Sequence, residues 1–316
     1  MPWLQLFADT DKHHAAAIED ALLNAGAASV TFKEHIPHGQ NENPILEPSL
    51  GETPLWQHTR VIGLFDADIN TQAINWLLEQ QLSLADNSSL RLRWEQLEDK
   101  DWEREWMQNY HPIQCAEHLW VCPSWIAPPD PTATNILLDP GLAFGTGTHP
   151  TTFLCLQWLA AQALDDAEGN SYRNSYRNNF RNSHIIDYGC GSGILGVAAL
   201  LLGAQQATGV DIDPQAIIAS QDNLQRNHLT ADRFTIHLPE NCPNQAADIM
   251  LANILAGPLA ELADTLLALI KPHGKICLSG ILSHQAQAVM DAYSHAIDFD
   301  PVEQKQEWVR LSGCKR

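Results

Sequence analysis

The chain has 316 residues with 45% hydrophobic content, enough for about two domains with real cores, and no apolar run approaches the roughly 20 residues of a membrane span. Its formal charge of -20, from 18 Lys plus Arg against 38 Asp plus Glu, argues against direct nucleic-acid binding and, where it does more than keep the chain soluble, suits a basic partner. Seven scattered cysteines without a C-x-x-C pair, fourteen histidines without ligand spacing, and an N-terminus without a charged-then-apolar leader predict reduced thiols, no metal, no membrane anchor and a cytoplasmic location.

In chain order, Trp3 to Phe7 alternates as a strand, Ala15 to Ala25 has helical spacing through Ile18, Leu22 and Leu23, and Ser29 to Lys33 is strand-like again. Gly26 ends that helix. After a Pro- and Asn-rich loop from Pro37 to Pro54 the pattern recurs, with a strand at Val61 to Phe65, a helix at Thr71 to Leu82 and a strand at Leu90 to Gln96. The order β-α-β-β-α-β predicts an N-terminal α+β ferredoxin-like domain over residues 1–98, a scaffold that names no function by itself. Residues 99–118 read as a linker region. Its helix, from Glu98 to Met107, is charged overall but places Trp102 and Trp106 on one face, which packs a seam more readily than it offers a substrate platform.

From Leu119 to Leu138 two apolar runs flank Pro128-Pro129-Asp130-Pro131, a ribbon leading into a second domain over residues 119–316. Then comes Asp139-Pro140-Gly141-Leu142-Ala143-Phe144-Gly145-Thr146-Gly147-Thr148-His149-Pro150-Thr151-Thr152, ahead of an apolar helix from Phe153. A Thr before Pro150 suits a helix cap, whereas three glycines and a buried-type Phe144 suit a loop that covers a ligand. The pattern leaves both open. Asn170 to Asn182 is a tetrapeptide repeat, Asn-Ser-Tyr-Arg twice and Asn-Asn-Phe-Arg once, read as a low-complexity surface insertion rather than an RNA contact.

The organising stretch is Ile185-Ile186-Asp187-Tyr188-Gly189-Cys190-Gly191-Ser192-Gly193-Ile194-Leu195-Gly196, a strand that breaks into glycines and opens a helix. Glycines here let the backbone press against a nucleotide-like ligand. Gly191, Gly193 and Gly196 match the dinucleotide pattern G-x-G-x-x-G, which alone is weak. Asp187 at the strand end would repel a pyrophosphate and suits instead the ammonium and sulfonium charges of S-adenosylmethionine. An NAD-dependent oxidoreductase and a noncatalytic cofactor-binding module stay open as alternatives.

Downstream, strands at Thr208 to Val210, Phe234 to Leu238, Asp248 to Ala252 and Lys275 to Ser279 alternate with helices at Pro214 to Asn227 and Leu259 to Ile270, and a hairpin is expected near Glu307 to Leu311. That rhythm predicts a Rossmann-like, doubly wound parallel sheet with its ligand beyond the carboxyl ends of the strands. Asp211, after the second strand, can accept both ribose hydroxyls. Asp213-Pro214 reads as a helix cap, leaving Asp211 free for ligand. Asn253 is either a turn residue or a group whose carbonyl oxygen accepts from an incoming amine while its amide donates to the cofactor.

The segments Gly141 to Thr152, Asp187 to Gly193, Gly209-Val-Asp-Ile-Asp-Pro214 and Ala252-Asn-Ile-Leu-Ala-Gly-Pro258 together resemble the ribosomal protein L-eleven (L11) methyltransferase family, over nearly the whole chain. The resemblance implies a class I methyltransferase domain using S-adenosylmethionine, an N-terminal domain that recognises the substrate, and N-methylation of lysine side chains and the N-terminal α-amine of L11. It implies cofactor contacts from Thr152, Gly189, Asp211 and Asn253, with Asn253 also catalytic. The expected partner is L11, free or on the large subunit, met by a monomer. The tetrapeptide repeat departs from the family pattern.

Overall fold

The computed structural model describes residues 3–37, 45–46, 52–81, 91–97, 110–139, 141, 144–164 and 180–316. The chain divides into two compact units, Met1–Met107 and Gln108–Arg316.

In the first unit, β1 (Trp3–Asp11), α1 (Ala15–Asn24), β2 (Ser29–Glu34), β3 (His58–Asp66), α2 (Thr71–Gln81) and β4 (Arg91–Leu97) form an antiparallel sheet in the order β2-β3-β1-β4. This is the βαββαβ arrangement expected from the sequence. Ala15, Ile18, Ala21 and Leu22 of α1 share one helical face and bury it against Leu6, Val61 and Phe65. Gly26 ends the helix with φ +96°, its N–H on Leu23 O at 3.0 Å. The expected linker helix lies outside the described residues.

The second unit starts with β5 (Ile113–Ala116), β6 (Leu119–Cys122) and β7 (Thr134–Leu137). The two expected apolar runs pair parallel, Leu119 to Thr134 through Cys122 to Leu137, and β5 adds an antiparallel third strand that the pattern did not reveal. The connection through Pro128–Pro131 is long enough to return the chain to the same end.

Next come α3 (Pro150–Leu164), β8 (His184–Tyr188), α4 (Ile194–Leu201), β9 (Gln206–Val210), α5 (Pro214–Arg226), β10 (Phe234–His237), β11 (Ala247–Asn253), α6 (Ala256–Glu261), α7 (Ala263–Ala268), β12 (Ile270–Leu282), α8 (Ala286–Tyr293), β13 (Ile297–Phe299), β14 (Glu303–Lys305) and β15 (Trp308–Lys315). The sheet runs β10-β9-β8-β11-β12-β15-β13, parallel as far as β12, with β15 antiparallel to both β12 and β13. Alternate residues feed opposite faces: Ile185 and Leu251 join one core with α3 and α4, while Ile186 and Met250 join another with α6, α7 and α8.

Two expectations change. The helix predicted from Leu259 to Ile270 is two short helices broken at Leu262, and Ile270 already belongs to β12. Phe180, read as part of a surface repeat, is 2% exposed and packs in the core beside α3; most of that repeat lies outside the described residues. All seven thiols are free. Among the described residues no helix is long and apolar enough to cross a membrane, and no cluster of His, Cys, Asp or Glu suits a metal ion.

Candidate functional site

The carboxyl ends of β8, β9 and β11 meet at the glycine turn. Gly189 has φ +77°, gives its N–H to Val210 O at 2.7 Å, and leaves no room for a side chain: an added Cβ would stand 2.1 Å from Ile254 Cγ2. Gly191, at φ +51°, would place a Cβ 2.5 Å from Phe144 O. The later glycines of the run face Ser220 and Phe234. The glycines therefore let protein approach protein, shaping the turn, rather than chiefly admitting a ligand.

Asp187 is also repositioned. Expected to face positive charge on a cofactor, it is 1% exposed, and its Oδ2 accepts the Gly196 N–H at 2.9 Å, tying β8 to the first turn of α4. Burial, with the Asp211 charge adding, pushes its pKa up to about 7, and its Oδ1 has no partner among the described residues. The side chain points inward because strand alternation puts it on the Ile185 face of β8, under α4.

Asp211 is not free, as the sequence suggested. Its Oδ2 accepts the Gly191 N–H at 2.8 Å and its Oδ1 the Asp213 N–H at 3.0 Å. Each oxygen keeps further acceptor capacity, so the two bonds fix the carboxylate beside the turn without exhausting it. Asp213 caps α5 as predicted, accepting the Gln215 N–H at 2.9 Å ahead of Pro214.

Asn253 closes β11, and its Nδ2 donates to Thr152 Oγ1 at 3.2 Å, across 101 positions of sequence. Thr152 is fully buried. The amide expected to reach a cofactor is thus engaged by Thr152, while Asn253 Oδ1 is buried and has no partner among the described residues. A buried acceptor left unpaired costs about 1–3 kcal/mol, so an N–H donor from outside the protein fits there.

The loop before α3 both caps a helix and covers the turn. His149, not the preceding Thr, is the capping residue: its Nδ1 accepts the Thr151 N–H at 3.4 Å and its carbonyl the Phe153 N–H at 3.0 Å. Phe144 O accepts the Ser192 N–H at 2.9 Å, and Gly145 O accepts the Ser192 hydroxyl at 2.6 Å. The loop is held through its backbone, which leaves the Phe144 ring 58% exposed rather than buried.

Sequence reasoning brought Thr152, Gly189, Asp211 and Asn253 forward, and the structure gathers all four at these strand ends. It missed Ser192 and the Ile254–Gly280 contact. Gly280, at φ +85°, would meet Ile254 O at 2.2 Å if it carried a Cβ, and a lone glycine within a strand pattern is the signal for such a close approach.

The profile of the family described as ribosomal protein L11 methyltransferase (PrmA) matches residues 2–316. The ribosomal protein L11 methyltransferase of Cellvibrio japonicus is 56% identical, with 100% of this chain and 99% of that protein covered. The one from Teredinibacter turnerae is 52% identical, over 100% of this chain and 98% of that protein. A crystal structure of ribosomal protein L11 methylase from Lactobacillus delbrueckii subsp. bulgaricus is similar with TM-score 0.53 and 28% identity, covering 66% of this chain and 100% of that one.

Proposed function

Because this chain belongs to the ribosomal protein L11 methyltransferase family, matched along its whole length, we propose that it methylates lysine side chains and the N-terminal α-amine of L11 with S-adenosylmethionine. Its second unit has the class I methyltransferase fold. Family membership removes the dinucleotide reading of G-x-G-x-x-G and leaves no support for a noncatalytic module. The observation that carries the site assignment is Asn253 Oδ1, a buried acceptor without a described partner at the end of β11.

When bound, S-adenosylmethionine supplies an electrophilic methyl that an amine takes by in-line displacement. Asp211, fixed by two backbone N–H groups, directs its remaining lone pairs to the ribose hydroxyls. Gly189 keeps side chains away from the turn. Thr152 holds the Asn253 amide, so that Oδ1 accepts an N–H of the incoming amine and aims its lone pair. Asparagine takes no proton; a free lysine has a pKa of about 10.4, desolvation disfavours its charged form, and the proton leaves to water.

In this reading residues 1–98 recognise L11, residues 99–118 link, and residues 119–316 catalyse. The protein works as a cytoplasmic monomer on L11, free or on the large subunit, and its acidity suits that basic partner. Asn253→Ala should lower turnover about a hundredfold, as loss of one aligned polar group does, a larger loss than the about 1–3 kcal/mol of stability at stake when Thr152 Oγ1 loses its donor. Unchanged turnover would reduce Asn253 to a strand-end residue.

A further inference from the structure

A cavity of about 330 Å³ opens where β11 and β12 begin, at the end of the parallel strands opposite Asn253. That is large enough for a small-molecule ligand. Lys271, His273, Lys275, Gln162 and Ser183 line it, and Asp248 is the only carboxylate among its described lining residues. A strand bulge builds it. β11 and β12 pair at Ala247 with Ile270 and next at Ile249 with Lys275, so Lys271 to Gly274 arch out against Asp248 alone. The arch is closed on itself: His273 takes φ +61°, and a Cβ on Gly274 would stand 2.9 Å from Lys271 O and 3.0 Å from Asp248 O. A residue other than glycine held in the left-handed region marks a backbone fixed by its surroundings. Both lysines therefore reach the cavity from a fixed support.

We propose that this cavity binds a phosphate group, free or on a small ester, between Lys271 and Lys275. Such a site stands apart from methyl transfer and does not depend on it. Asp248 is spent: its Oδ1 and Oδ2 accept from Lys271 Nζ at 2.8 and 2.9 Å, and Oδ2 also accepts the His184 N–H at 2.8 Å. Lys275 has no carboxylate partner among the described residues; its half-buried Nζ donates to the neutral Gln162 Oε1. An ammonium has three N–H groups, so Lys271 keeps one and Lys275 two without a protein acceptor among the described residues. A phosphate monoester presents three acceptor oxygens and close to two negative charges at pH 7, which matches that set in number and in sign. Lys315 adds a third positive charge beside the arch, its Nζ donating to Leu267 O at 2.7 Å and Ile270 O at 2.9 Å. On a chain of formal charge -20 this edge is a local exception, and it favours an anion. Ile249 and Pro272 give the cavity an apolar side for the organic part of an ester.

The test titrates the isotope-labelled full chain with inorganic phosphate and with phenyl phosphate, at an ionic strength held constant with chloride, and reads the Ser183 and Gly274 amides by NMR. Both amides should follow one saturating curve. Lys275→Gln should weaken binding about tenfold, as loss of a hydrogen bond to a charged group does, whereas Lys12→Gln, an exposed lysine of the first unit, should leave it unchanged. Lys271→Gln should abolish binding, because Asp248 then faces the cavity as an uncompensated carboxylate. Tighter binding of phenyl phosphate than of the free ion assigns the ester, and equal binding assigns the free ion. Shifts that grow linearly with phosphate, or the same curve in Lys275→Gln as in the unaltered chain, overturn the site. Should Lys271→Gln fail to fold, Lys275→Gln still decides.

Discussion

Asp187 acts on the site from beneath it. Its carboxyl is buried under the glycine turn with one backbone donor, Gly196, and its pKa is pushed up to about 7 from an ordinary 3.8. A carboxyl with a raised folded-state pKa is protonated in the native chain while the unfolded chain has already ionised. Its contribution to stability is fully present below about pH 4 and is lost as pH rises toward 7, by about 4 kcal/mol at most. Asp187→Asn keeps an acceptor for the Gly196 N–H and should flatten that decline in denaturant titrations across the window. An identical pH slope in the variant would show that the carboxyl is already ionised in the fold. The motif located Asp187 but not its partner, because the Gly196 N–H comes within reach only once α4 packs over the Ile185 face of β8. Phe144 was misread for a related reason: backbone bonds to Ser192 hold its loop, so an apolar ring can stay in water. Thr152 and Asn253 were legible one by one from their segments. Their contact was not, since it spans 101 positions.

The strands and helices of the parallel sheet follow from hydrophobic runs punctuated by Gly and Asp-Pro, which is why β8, β9, β11 and α5 lie within a residue or two of expectation. Local pattern gave less where tertiary contact decides. The break at Leu262 between α6 and α7 sits inside a continuous apolar stretch, and β5 is too short to declare itself. The most exact element-level contact is Gly189 against Ile254, which joins the turn after β8 to the segment after β11. Gly189→Ala should cost about 2–4 kcal/mol through positive φ and overlap together. Ile254→Ala in the same chain should recover the overlap part and leave the backbone part. A double variant no more stable than Gly189→Ala alone would show that the overlap carries no cost.

At the scale of the whole molecule, the βαββαβ unit and the doubly wound unit each have their own core. Each is therefore expected to fold and bind separately. The formal charge of -20 sets a long-range field that suits a basic partner. The most direct measurement is intact-mass analysis of unmodified large-subunit ribosomal proteins incubated with S-adenosylmethionine and either the full chain or residues 108–316. The full chain should add steps of methyl mass to L11 alone, and the shorter chain should bind the cofactor in calorimetry yet leave L11 unshifted. L11 left unshifted by a full chain that binds the cofactor would contradict the proposed acceptor, and equal methylation by the shorter chain would contradict recognition by the N-terminal unit.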